Sequence, residues 1–496
     1  MVQQDKDRLN ILLILTDQHR YDSLGCYGSE ICRSPNIDRL AQQGVRFDRA
    51  YTYAMPCSPS RAALFTGLYP HKNHVRVNSE RLNPDAPNLA SELGEAGYQL
   101  GYAGKWHVDD PQVASDYGFE GKDFPGYGYP VYNGLVEGLR FGPGADSRGA
   151  TKHYERYLKE HGYDVPRVLE AHYGDNPGKQ GQEMYALQSG SVESSFEAMV
   201  AEDTIDLLRR MKARRDEEDS PFFIWTNFWG PHTPCFIPEP YYSMYDPASI
   251  PEDPSFREDW ERKPFVQQLV ERYWGLSTGG WERWREIVAR YWGYVTMIDD
   301  LVGRILAELE ALGCADRTLV IFSTDHGDAM GAHRLIEKGP FAYEQTYRLP
   351  MVAVHPDNPS PGGVCDEFIY LQDLFPTFLE MAGRPLPDAP DTQSILAQLR
   401  GEDAPTGRES VYAQFFAQLF RYEQRIIRTR THKFVYNHAD IGELYDLEHD
   451  PWELDNLFDR PEAADVQASL IERMREHMVR LNDPILRDFD GIRHVY

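Results

Sequence analysis

This sequence has few cysteines, no long apolar run and fewer basic than acidic residues. Its 496 residues include 6 cysteines, and their spacing contains no CxxC pair and no dense disulfide framework. The longest apolar run, Ile11–Leu15, has the length of a strand, whereas a membrane-spanning helix needs about 18 apolar residues. The sequence therefore excludes a small disulfide-stabilised scaffold and predicts no membrane partner.

The chain is strongly acidic: it has 78 acidic and 51 basic residues, and its formal net charge is −27. Nucleic-acid binding requires a basic face that attracts phosphates, so nucleic acid is excluded as a general partner. The first ten residues, MVQQDKDRLN, lack the basic segment, apolar stretch and small-residue cleavage site of a secretory signal. We therefore expect a cytoplasmic protein.

The composition is that of a folded protein, with 41% hydrophobic and 26% charged residues. Apolar runs rich in strand formers alternate with helical patterns along the first three quarters, which is typical of a largely parallel sheet covered on both faces. After Pro385 the pattern changes to short strands and one amphipathic helix. We predict an α/β fold with a large mixed, mostly parallel sheet sandwiched by helices in residues 1–385. A smaller α+β subdomain would follow in residues 386–496, with a small antiparallel sheet, a helix and a tail.

The individual elements are predicted from hydrophobic periodicity and from turn and cap residues. The predicted strands are Ile11–Leu15, Tyr98–Ala103, Pro221–Asn227, Thr318–Ser323, Met351–His355, Ser410–Gln414, Arg425–Thr429 and Lys433–Tyr436. The predicted helices are Asn36–Gln43, Ser91–Ala96, Phe196–Arg215, Glu286–Leu312 and Ala463–Leu481. Left-handed glycine caps are expected at Gly44, Gly97 and Gly313.

Two regions allow more than one interpretation. The irregular, aromatic-rich stretch at 109–190 and the later Trp274, Trp281 and Trp284 either shape the rim of a pocket or pack loops onto the sheet. The tail Asn482–Tyr496 carries scattered apolar residues. We expect that it could cover a neighbouring subunit in a homo-oligomer.

Polar residues follow four of the predicted strands, where ligands bind in open α/β sheets. They are Thr16-Asp17-Gln18-His19, Gly104-Lys105-Trp106-His107, Gly230-Pro231-His232-Thr233-Pro234 and Thr324-Asp325-His326-Gly327-Asp328. A single acidic residue after a strand is more often a helix N-cap than a ligand. Two adjacent pairs, Asp17/Gln18 and Asp325/His326, instead combine oxygen donors with an imidazole. Together they predict a divalent metal held mostly by oxygen.

A fifth polar cluster, Pro56-Cys57-Ser58-Pro59-Ser60-Arg61, begins a short helix. Ser58 is predicted as its N-cap, Pro59 as its first helical residue and Gly67 as its end. Cys57 would then lie at the positive end of the helix dipole, where an anion is favoured and Arg61 can fold back toward the same point. The alternative is a small buried cysteine before a well-capped helix.

These clusters together resemble the type I sulfatases of the alkaline-phosphatase superfamily. The resemblance rests on Cys57-Ser58-Pro59-Ser60-Arg61 with Thr66-Gly67 downstream, and it extends from about residue 9 to about residue 458. Further matching blocks are Asp17, Gly104-Lys105-Trp106-His107, Pro231-His232, Asp325-His326-Gly327, Lys338-Gly339-Pro340, Asp373-Leu374-Phe375-Pro376-Thr377 and Glu443-Leu444-Tyr445-Asp446-Leu447. The resemblance implies a sulfuric ester hydrolase that acts on aryl or carbohydrate sulfate monoesters.

The resemblance also implies a role for each matching residue. In that family a formylglycine-generating enzyme converts the cysteine to an aldehyde, whose metal-held hydrate is the nucleophile. Carried over, Cys57 would be the modified residue. The implied metal ligands are Asp17, Gln18, Cys57, Asp325 and His326. The other implied catalytic residues are Arg61, which fixes the hydrate; His107, the base that restores the aldehyde; and Lys105, His232 and Lys338, which hold sulfate oxygens, with His232 as acid.

The chain departs from the family pattern in two ligands. Gln18 stands where many members have a second aspartate, and His326 stands where others use asparagine. Calcium remains the first expectation for an oxygen-rich site, with Mn²⁺ as the alternative because of the imidazole. The same pair is similar to phosphonate monoester hydrolases, so hydrolysis of phosphonate monoesters or phosphodiesters is the alternative function. Lys105 with His107 favours a sulfatase.

Two further interpretations remain open at this point. Asn78 lies downstream of the nucleophile helix and either contacts the ester oxygens or serves in a turn. A binding protein that keeps the fold without catalysis is a third hypothesis, but the full set of metal, nucleophile and cation positions argues against it.

Overall fold

The computed structural model describes residues 8–124, 150–173, 183–275, 280–386 and 391–492. Its strands are β1 Asn10–Asp17, β2 Val45–Phe47, β3 Ala50–Tyr51, β4 Ala54–Met55, β5 Gln99–Lys105, β6 Glu120–Phe124, β7 Val168–Tyr173, β8 Glu183–Gln188, β9 Phe222–Pro231, β10 Cys235–Pro238, β11 Thr318–Thr324, β12 Arg348–Leu349, β13 Val352–Val354, β14 Gly363–Cys365, β15 Ile369–Tyr370, β16 Ser410–Gln418, β17 Phe420–Thr429, β18 His432–Asn437 and β19 Glu443–Asp446. Its α-helices are α1 Pro35–Gln43, α2 Cys57–Thr66, α3 Pro70–Asn73, α4 Leu89–Glu95, α5 Ala150–His161, α6 Phe196–Glu218, α7 Phe265–Trp274, α8 Gly280–Ala311, α9 Glu344–Tyr347, α10 Leu374–Met381, α11 Leu396–Leu399, α12 Ala464–Leu481 and α13 Leu486–Ile492. Within these ranges, no helix combines the length and the apolar character needed to cross a bilayer.

The main sheet has eight strands in the order β14-β2-β13-β11-β1-β9-β5-β6. The five strands from β11 to β6 pair in parallel, and β13 is antiparallel to both of its neighbours. Strand β1 lies inside this parallel block. All eight of its residues are buried, as expected for a strand covered on both faces. The predicted α/β class with a mixed, mostly parallel sheet is confirmed.

Two apolar cores lie on opposite faces of the main sheet. Alternate residues of β1 divide between them: Leu12 and Ile14 join one core, while Ile11, Leu13 and Leu15 join the other. The first core includes side chains of α1, α6 and α8, and the second includes side chains of α2, α4 and α10. Helices therefore cover both faces, and the carboxyl ends of the central strands remain as the edge on which polar residues gather.

A second mixed sheet forms the C-terminal part, in the order β19-β18-β17-β16-β4. Its last pairing is parallel and joins β16 to β4, the strand that comes just before Cys57. Helix α12 packs on this sheet, and the buried Arg425 binds Asp483 at 2.8 Å just beyond the helix. The C-terminal sheet is therefore built against the segment that carries the predicted nucleophile. The predicted boundary at 385/386 stays a prediction.

The tail packs on its own chain. Ile485 and Phe489 are buried in the core of the C-terminal sheet, and Phe489 lies edge-to-face with Tyr436 at 5.1 Å. These two side chains are therefore not available to cover a neighbouring subunit, which corrects the expectation for this segment.

One of the three predicted glycine caps is wrong. Gly97 and Gly313 have φ of 83° and 63°, as a left-handed helix end requires. Gly44 has φ of −131°, and a Cβ there would lie 2.0 Å from the carbonyl oxygen of Ala353. Glycine at position 44 is thus required by the close approach of strand β13.

Two of the tryptophans singled out in the sequence pack on other side chains, and Trp281 also lines a cavity. Trp284 is fully buried, and Trp281 packs edge-to-face on Phe256 at 5.0 Å. Residues 125–149 and 174–182 of the aromatic-rich segment lie outside the described residues, so its relation to a pocket stays a prediction.

Candidate active site

Four neighbouring parallel strands bring most of the predicted site residues to one edge of the main sheet. Strand β1 lies between β11 and β9, and β9 lies beside β5. Thr16 is in register with Thr324, so Asp17 and Asp325 follow side by side. Lys105 ends β5, and His232 directly follows β9. Residues more than 300 positions apart in sequence therefore converge, as the strand-end pattern predicted.

The nucleophile helix starts two residues earlier than predicted. Helix α2 begins at Cys57 itself, with Pro56 at the N-cap, and ends before Gly67, whose φ is 70°. Ser58 is therefore inside the first turn and is not the cap. Its backbone N–H donates instead to Oδ1 of Asn78 at 3.0 Å. Asn78 thus supplies the capping oxygen from a distant loop, a role that favours the structural interpretation of this residue.

Four donor atoms at this edge form a buried group suited to a metal ion. Oxygen, nitrogen and sulfur atoms of Asp17, Cys57, Asp325 and His326 all lie within 4.8 Å of one another. The Cys57 sulfur is 3.1 Å from Nε2 of His326 and 3.8 Å from Oδ1 of Asp17. Nδ1 of His326 donates to the carbonyl of Gly327 at 2.8 Å, so the neutral imidazole that metal binding requires would present the lone pair of Nε2 to the group. Two carboxylates, an imidazole and residue 57 are a donor set that fits a divalent ion.

Burial and neighbouring charges shift the pKa values of His326 and Asp17 in opposite directions. Burial disfavours protonation of His326, but the carboxylate of Asp325 and the Cys57 sulfur outweigh it and raise the pKa of His326 to about 9. For Asp17, burial favours the neutral acid, yet the cations of Lys105 and Arg61 hold its pKa well below the usual value. The site thus keeps an ionised carboxylate at full burial because cations surround it.

Gln18 faces the same group but is held by two other side chains. Its Nε2 donates to Asp328 at 2.7 Å, and its Oε1 accepts from Nζ of Lys338 at 2.5 Å. The Gln18 backbone has φ of 66°, a left-handed conformation that is rare for a residue with a side chain. Such strain persists where the surroundings impose it, which is common at functional sites. Metal ligation by Gln18 stays a prediction.

Arg61 is the central cation of the site. Its side chain is fully buried and binds Asp325 through Nε at 2.7 Å and Asp17 through Nη2 at 3.2 Å. A third bond runs from Nη1 to Oδ1 of Asn227 at 2.7 Å. Lys105 adds a second cation to Asp17 at 2.6 Å. The fork of Arg61 therefore fixes the spacing of the two carboxylates.

His232 and Lys338 form a hydrogen-bonded pair next to Gln18. Nδ1 of His232 contacts the carbonyl of Thr233, and Nε2 lies 2.8 Å from Nζ of Lys338. Because a carbonyl can only accept, Nδ1 carries the proton and Nε2 accepts from the lysine. Burial and Lys338 hold the pKa of His232 well below its usual value. The proton between the two groups is therefore assigned to Lys338, and the role of His232 as the preferred acid stays a prediction.

His107 lies at the end of the segment after β5. It is 8% exposed, and its backbone has φ of 47°. Burial and the neighbouring Lys105 hold the pKa of His107 well below its usual value. The imidazole is thus neutral at physiological pH, the state that a base requires.

The structure adds three residues that the sequence analysis assigned no role. Asn227 binds Arg61, Asp328 binds Gln18, and Glu197 accepts from the backbone N–H groups of Trp229 and Gly230 at 3.3 and 3.1 Å. Asn227 ends a predicted strand and Asp328 stands in a strand-end segment already noted, so position was a usable signal. Glu197 is the second residue of the predicted helix Phe196–Arg215, where nothing distinguishes it from a solvent-facing acid.

A family model described as Sulfatase matches residues 9–384 of this chain. The chain belongs to the sulfatase family, within the alkaline-phosphatase superfamily. A second model, N-sulphoglucosamine sulphohydrolase C-terminal, matches residues 331–480 of the sulfatase. The predicted sulfuric ester hydrolase is therefore confirmed at the level of family and enzyme class.

Several characterised proteins resemble this sulfatase along nearly its whole length. The arylsulfatase of Clostridium perfringens is 30% identical over 470 residues, which cover 91% of each chain. The N-acetylglucosamine-6-O-sulfatase of Bacteroides thetaiotaomicron is 26% identical over 97% of this chain and 88% of that protein. The crystal structure of the phosphonate monoester hydrolase of Agrobacterium radiobacter superposes with a TM-score of 0.76 at 25% identity, covering 96% of both chains.

Proposed function

We propose that this sulfatase hydrolyses aryl or carbohydrate sulfate monoesters and that Cys57 acts after conversion to formylglycine. One observation carries the proposal: the Cys57 sulfur lies in a buried group with two carboxylates and an imidazole, at the start of a buried helix. Cations of Arg61, Lys105 and Lys338 adjoin that group. A nucleophile, an anion-binding cluster and metal donors thus meet at one point.

A divalent ion at this site would be held by Asp17, Asp325, His326 and residue 57, with Gln18 as the predicted fifth ligand. When bound, it would supply positive charge that lowers the pKa of a nearby hydroxyl and attracts the ester oxygens. Calcium is our first expectation because most donors are oxygen atoms, and Mn²⁺ is the alternative because of the imidazole. Formylglycine contributes two hydroxyls in its hydrated form: one attacks sulfur, and the other allows the aldehyde to return as sulfate leaves.

The residues of the chain divide the remaining work. Lys105 and Lys338 bind the anionic sulfate oxygens, and Arg61 keeps the carboxylates and residue 57 in register. As the S–O bond to the alcohol breaks, the leaving oxygen takes a proton from the Lys338–His232 pair. His107 is neutral and accepts the proton of the second hydroxyl when sulfate is released.

The test is mass spectrometry of the peptide that carries Cys57, from protein coexpressed with a formylglycine-generating enzyme. We expect a loss of about 18 Da relative to the thiol, together with hydrolysis of an aryl sulfate. Cys57→Ala should remove both the modification and the turnover. An unmodified thiol in an enzyme that still hydrolyses the aryl sulfate would contradict the proposed nucleophile.

Phosphonate monoester hydrolysis is the second candidate, favoured by the glutamine and histidine at positions 18 and 326 and by the solved phosphonate monoester hydrolase. The ratio of kcat/KM for an aryl sulfate and an aryl phosphonate monoester decides between the two. A tenfold ratio corresponds to about 1.4 kcal/mol of transition-state stabilisation, so only a much larger ratio assigns the main activity. A preference for the phosphonate above about a hundredfold would replace the sulfatase proposal.

A further inference from the structure

A second group of cations lies in the C-terminal part, apart from the residues of the active site. It surrounds a cavity of about 370 Å³ formed by helix α12, the start of β16 and the two chain segments at 391–393 and 406–409. The cationic lining side chains are Arg408, Arg473 and Arg480, joined by His477. A cavity of this volume has room for a small ligand.

Helix α12 contributes three of these residues from one face. Arg473, His477 and Arg480 are spaced by four and three positions, which places them above one another along a helix. His477 is fixed between its neighbours: Nδ1 lies 3.1 Å from Nη2 of Arg480, and Nε2 lies 3.1 Å from the Ser410 hydroxyl. The imidazole therefore orients the Arg480 guanidinium within the lining.

The positive charge of this lining is not fully balanced. Arg408 binds Asp373 at 2.7 Å, and Arg473 binds Glu409 at 2.9 Å. Asp391, which also lines the cavity, is paired with Lys72 at 2.5 Å. Over the described part of the chain, no carboxylate lies within ion-pair distance of Arg480. One guanidinium thus remains for an anion, in a protein whose net charge is −27.

A buried hydroxyl points to the same conclusion independently. Thr392 lines the cavity and is only 5% exposed, yet its Oγ1 has no hydrogen-bond partner. A buried hydroxyl without a partner is costly, so a ligand oxygen that accepts from it would be favoured. The electrostatic environment agrees, because burial and the positive charges of Arg480 and Arg473 lower the pKa of His477 to about 3.

We propose that this cavity is a second anion site that binds one sulfate group, with Arg480 and Arg473 as the cations and Thr392 as a hydroxyl donor. Tetrahedral oxyanions suit guanidinium groups because each oxygen accepts in the geometry that the fork provides. The group belongs either to free sulfate or to a further sulfate substituent on a saccharide. The choice of sulfate among oxyanions rests on the proposed function, whereas the anion site itself does not.

Binding of inorganic sulfate to the full-length protein tests the proposal, measured by equilibrium dialysis with radiolabelled sulfate. We expect two sites in the wild type. Arg480→Gln and the nearly isosteric Thr392→Val should each weaken one of them by about tenfold or more. Arg475→Gln is the matched control, because Arg475 lies on the same helix but outside the cavity, where it binds Asp490 at 2.7 Å. It should retain both sites.

The turnover of a small aryl sulfate separates this inference from the proposed function. We expect unchanged kcat/KM in all three variants, since none of these residues touches the active site. If a sulfated oligosaccharide loses affinity in Arg480→Gln, the bound group is a substituent of the saccharide. If only the binding of inorganic sulfate is weakened, the bound group is free sulfate. A wild type that binds sulfate at a site that Arg480→Gln removes, and yet hydrolyses no sulfate ester, is a further outcome. That result would contradict the proposed function and support the cavity site. The cavity site would be overturned if wild type, Arg480→Gln and Thr392→Val bound sulfate equally. It would also be overturned if sulfate bound only at concentrations of about 1 M.

Discussion

At the scale of single residues, the site is controlled by groups that orient other groups. Asp328 illustrates this, because it contacts no predicted sulfate-binding atom. Its Oδ2 accepts from Nε2 of Gln18, while Oδ1 accepts from the backbone N–H groups of Met330 and Glu337 at 2.7 and 2.8 Å. With the amide nitrogen held by Asp328, the carbonyl oxygen of Gln18 must face Lys338. Asp328 therefore orients the Gln18 amide so that its oxygen, and not its nitrogen, faces Lys338.

The substitution Asp328→Asn tests this positioning. An asparagine keeps one acceptor oxygen and turns an amide nitrogen toward one of the three donors, so the Gln18 amide loses its orientation. We expect kcat/KM for an aryl sulfate to fall roughly 10–100-fold, the usual cost of disturbing groups that orient metal ligands. Exposed Asp216→Asn is the control for a lost carboxylate and should behave as wild type. An unchanged rate in Asp328→Asn, measured with the modified enzyme, would show that Gln18 needs no such support.

Most of the predicted site residues could be found from the sequence because they follow strands directly. Asp17, Lys105, His232 and Asp325 are predicted in this way, and the structure brings them to one edge of the sheet. Their partners were harder to find, since side-chain contacts across the fold leave no local pattern. Ser58 shows the limit: it is an excellent N-cap by type, yet Asn78, twenty residues on, provides the capping oxygen. Local propensity was overridden there by a tertiary hydrogen bond.

At the scale of elements, helix α6 supports the turn that carries His232. Glu197 lies in its first turn and accepts from the N–H groups of Trp229 and Gly230 and from the Tyr294 hydroxyl of α8 at 2.7 Å. The Trp229 ring in turn lies 4.4 Å from Nζ of Lys105. One buried carboxylate thus links two helices to the end of β9. Sequence periodicity placed α6 correctly but carried no sign of this contact.

Glu197→Gln should loosen that turn. The amide nitrogen cannot accept, so at least one of three buried donors is left unpaired at a cost of about 1–3 kcal/mol. We expect a lower unfolding midpoint and, because His232 moves, a lower kcat/KM for the aryl sulfate. The exposed Glu217→Gln on the same helix is the matched control. A variant that loses stability while its pH–rate profile and kcat/KM stay at wild-type values would limit Glu197 to a structural role.

A second carboxylate fastens helix α1 to helix α8. Asp299 of α8 accepts from the backbone N–H groups of Asn36 and Ile37 at 3.0 and 2.8 Å, where α1 begins and its own cap Ser34 makes no such bond. Burial raises the pKa of Asp299 to about 7. The long α8 pattern was predicted from sequence, but its Asp299 resembled any polar residue on a half-buried helix.

The raised pKa gives stability a defined pH dependence. Because the folded-state pKa exceeds the unfolded value of 3.8, the folded protein binds the extra proton, and this contribution is lost as pH rises from about 4 to about 7. Asp299→Asn removes the titrating group. We expect the free energy of unfolding of the wild type to fall more steeply across this window than that of the variant, by up to about 1.4 kcal/mol per pH unit. Parallel curves for the two proteins from urea unfolding would contradict the assignment, and the exposed Asp316→Asn should give the wild-type slope.

At the scale of the whole molecule, the fold must gather cations into a protein with a net charge of −27. It does so by placing Arg61, Lys105 and Lys338 on different segments that meet only in the folded state. The alternating pattern of strands and helices was sufficient to predict this sheet and the edge at which its polar residues gather. It could not predict that β4 would join the C-terminal sheet, because a two-residue strand has too little pattern to read.

The same convergence predicts that stability depends on a bound metal ion. Asp17, Asp325 and His326 come together only on folding, so an ion that prefers the folded site stabilises it by RT ln(1 + [L]/Kd), about 2.7 kcal/mol at a hundredfold excess over Kd. Chelator-treated protein should therefore melt a few degrees lower than protein with added Ca²⁺ or Mn²⁺. The ion that gives the larger shift at equal concentration identifies the better fit. His326→Ala removes one donor, and we expect its metal-induced shift to shrink by at least half. An equal shift in wild type and variant would mean that the ion binds elsewhere, on the acidic surface.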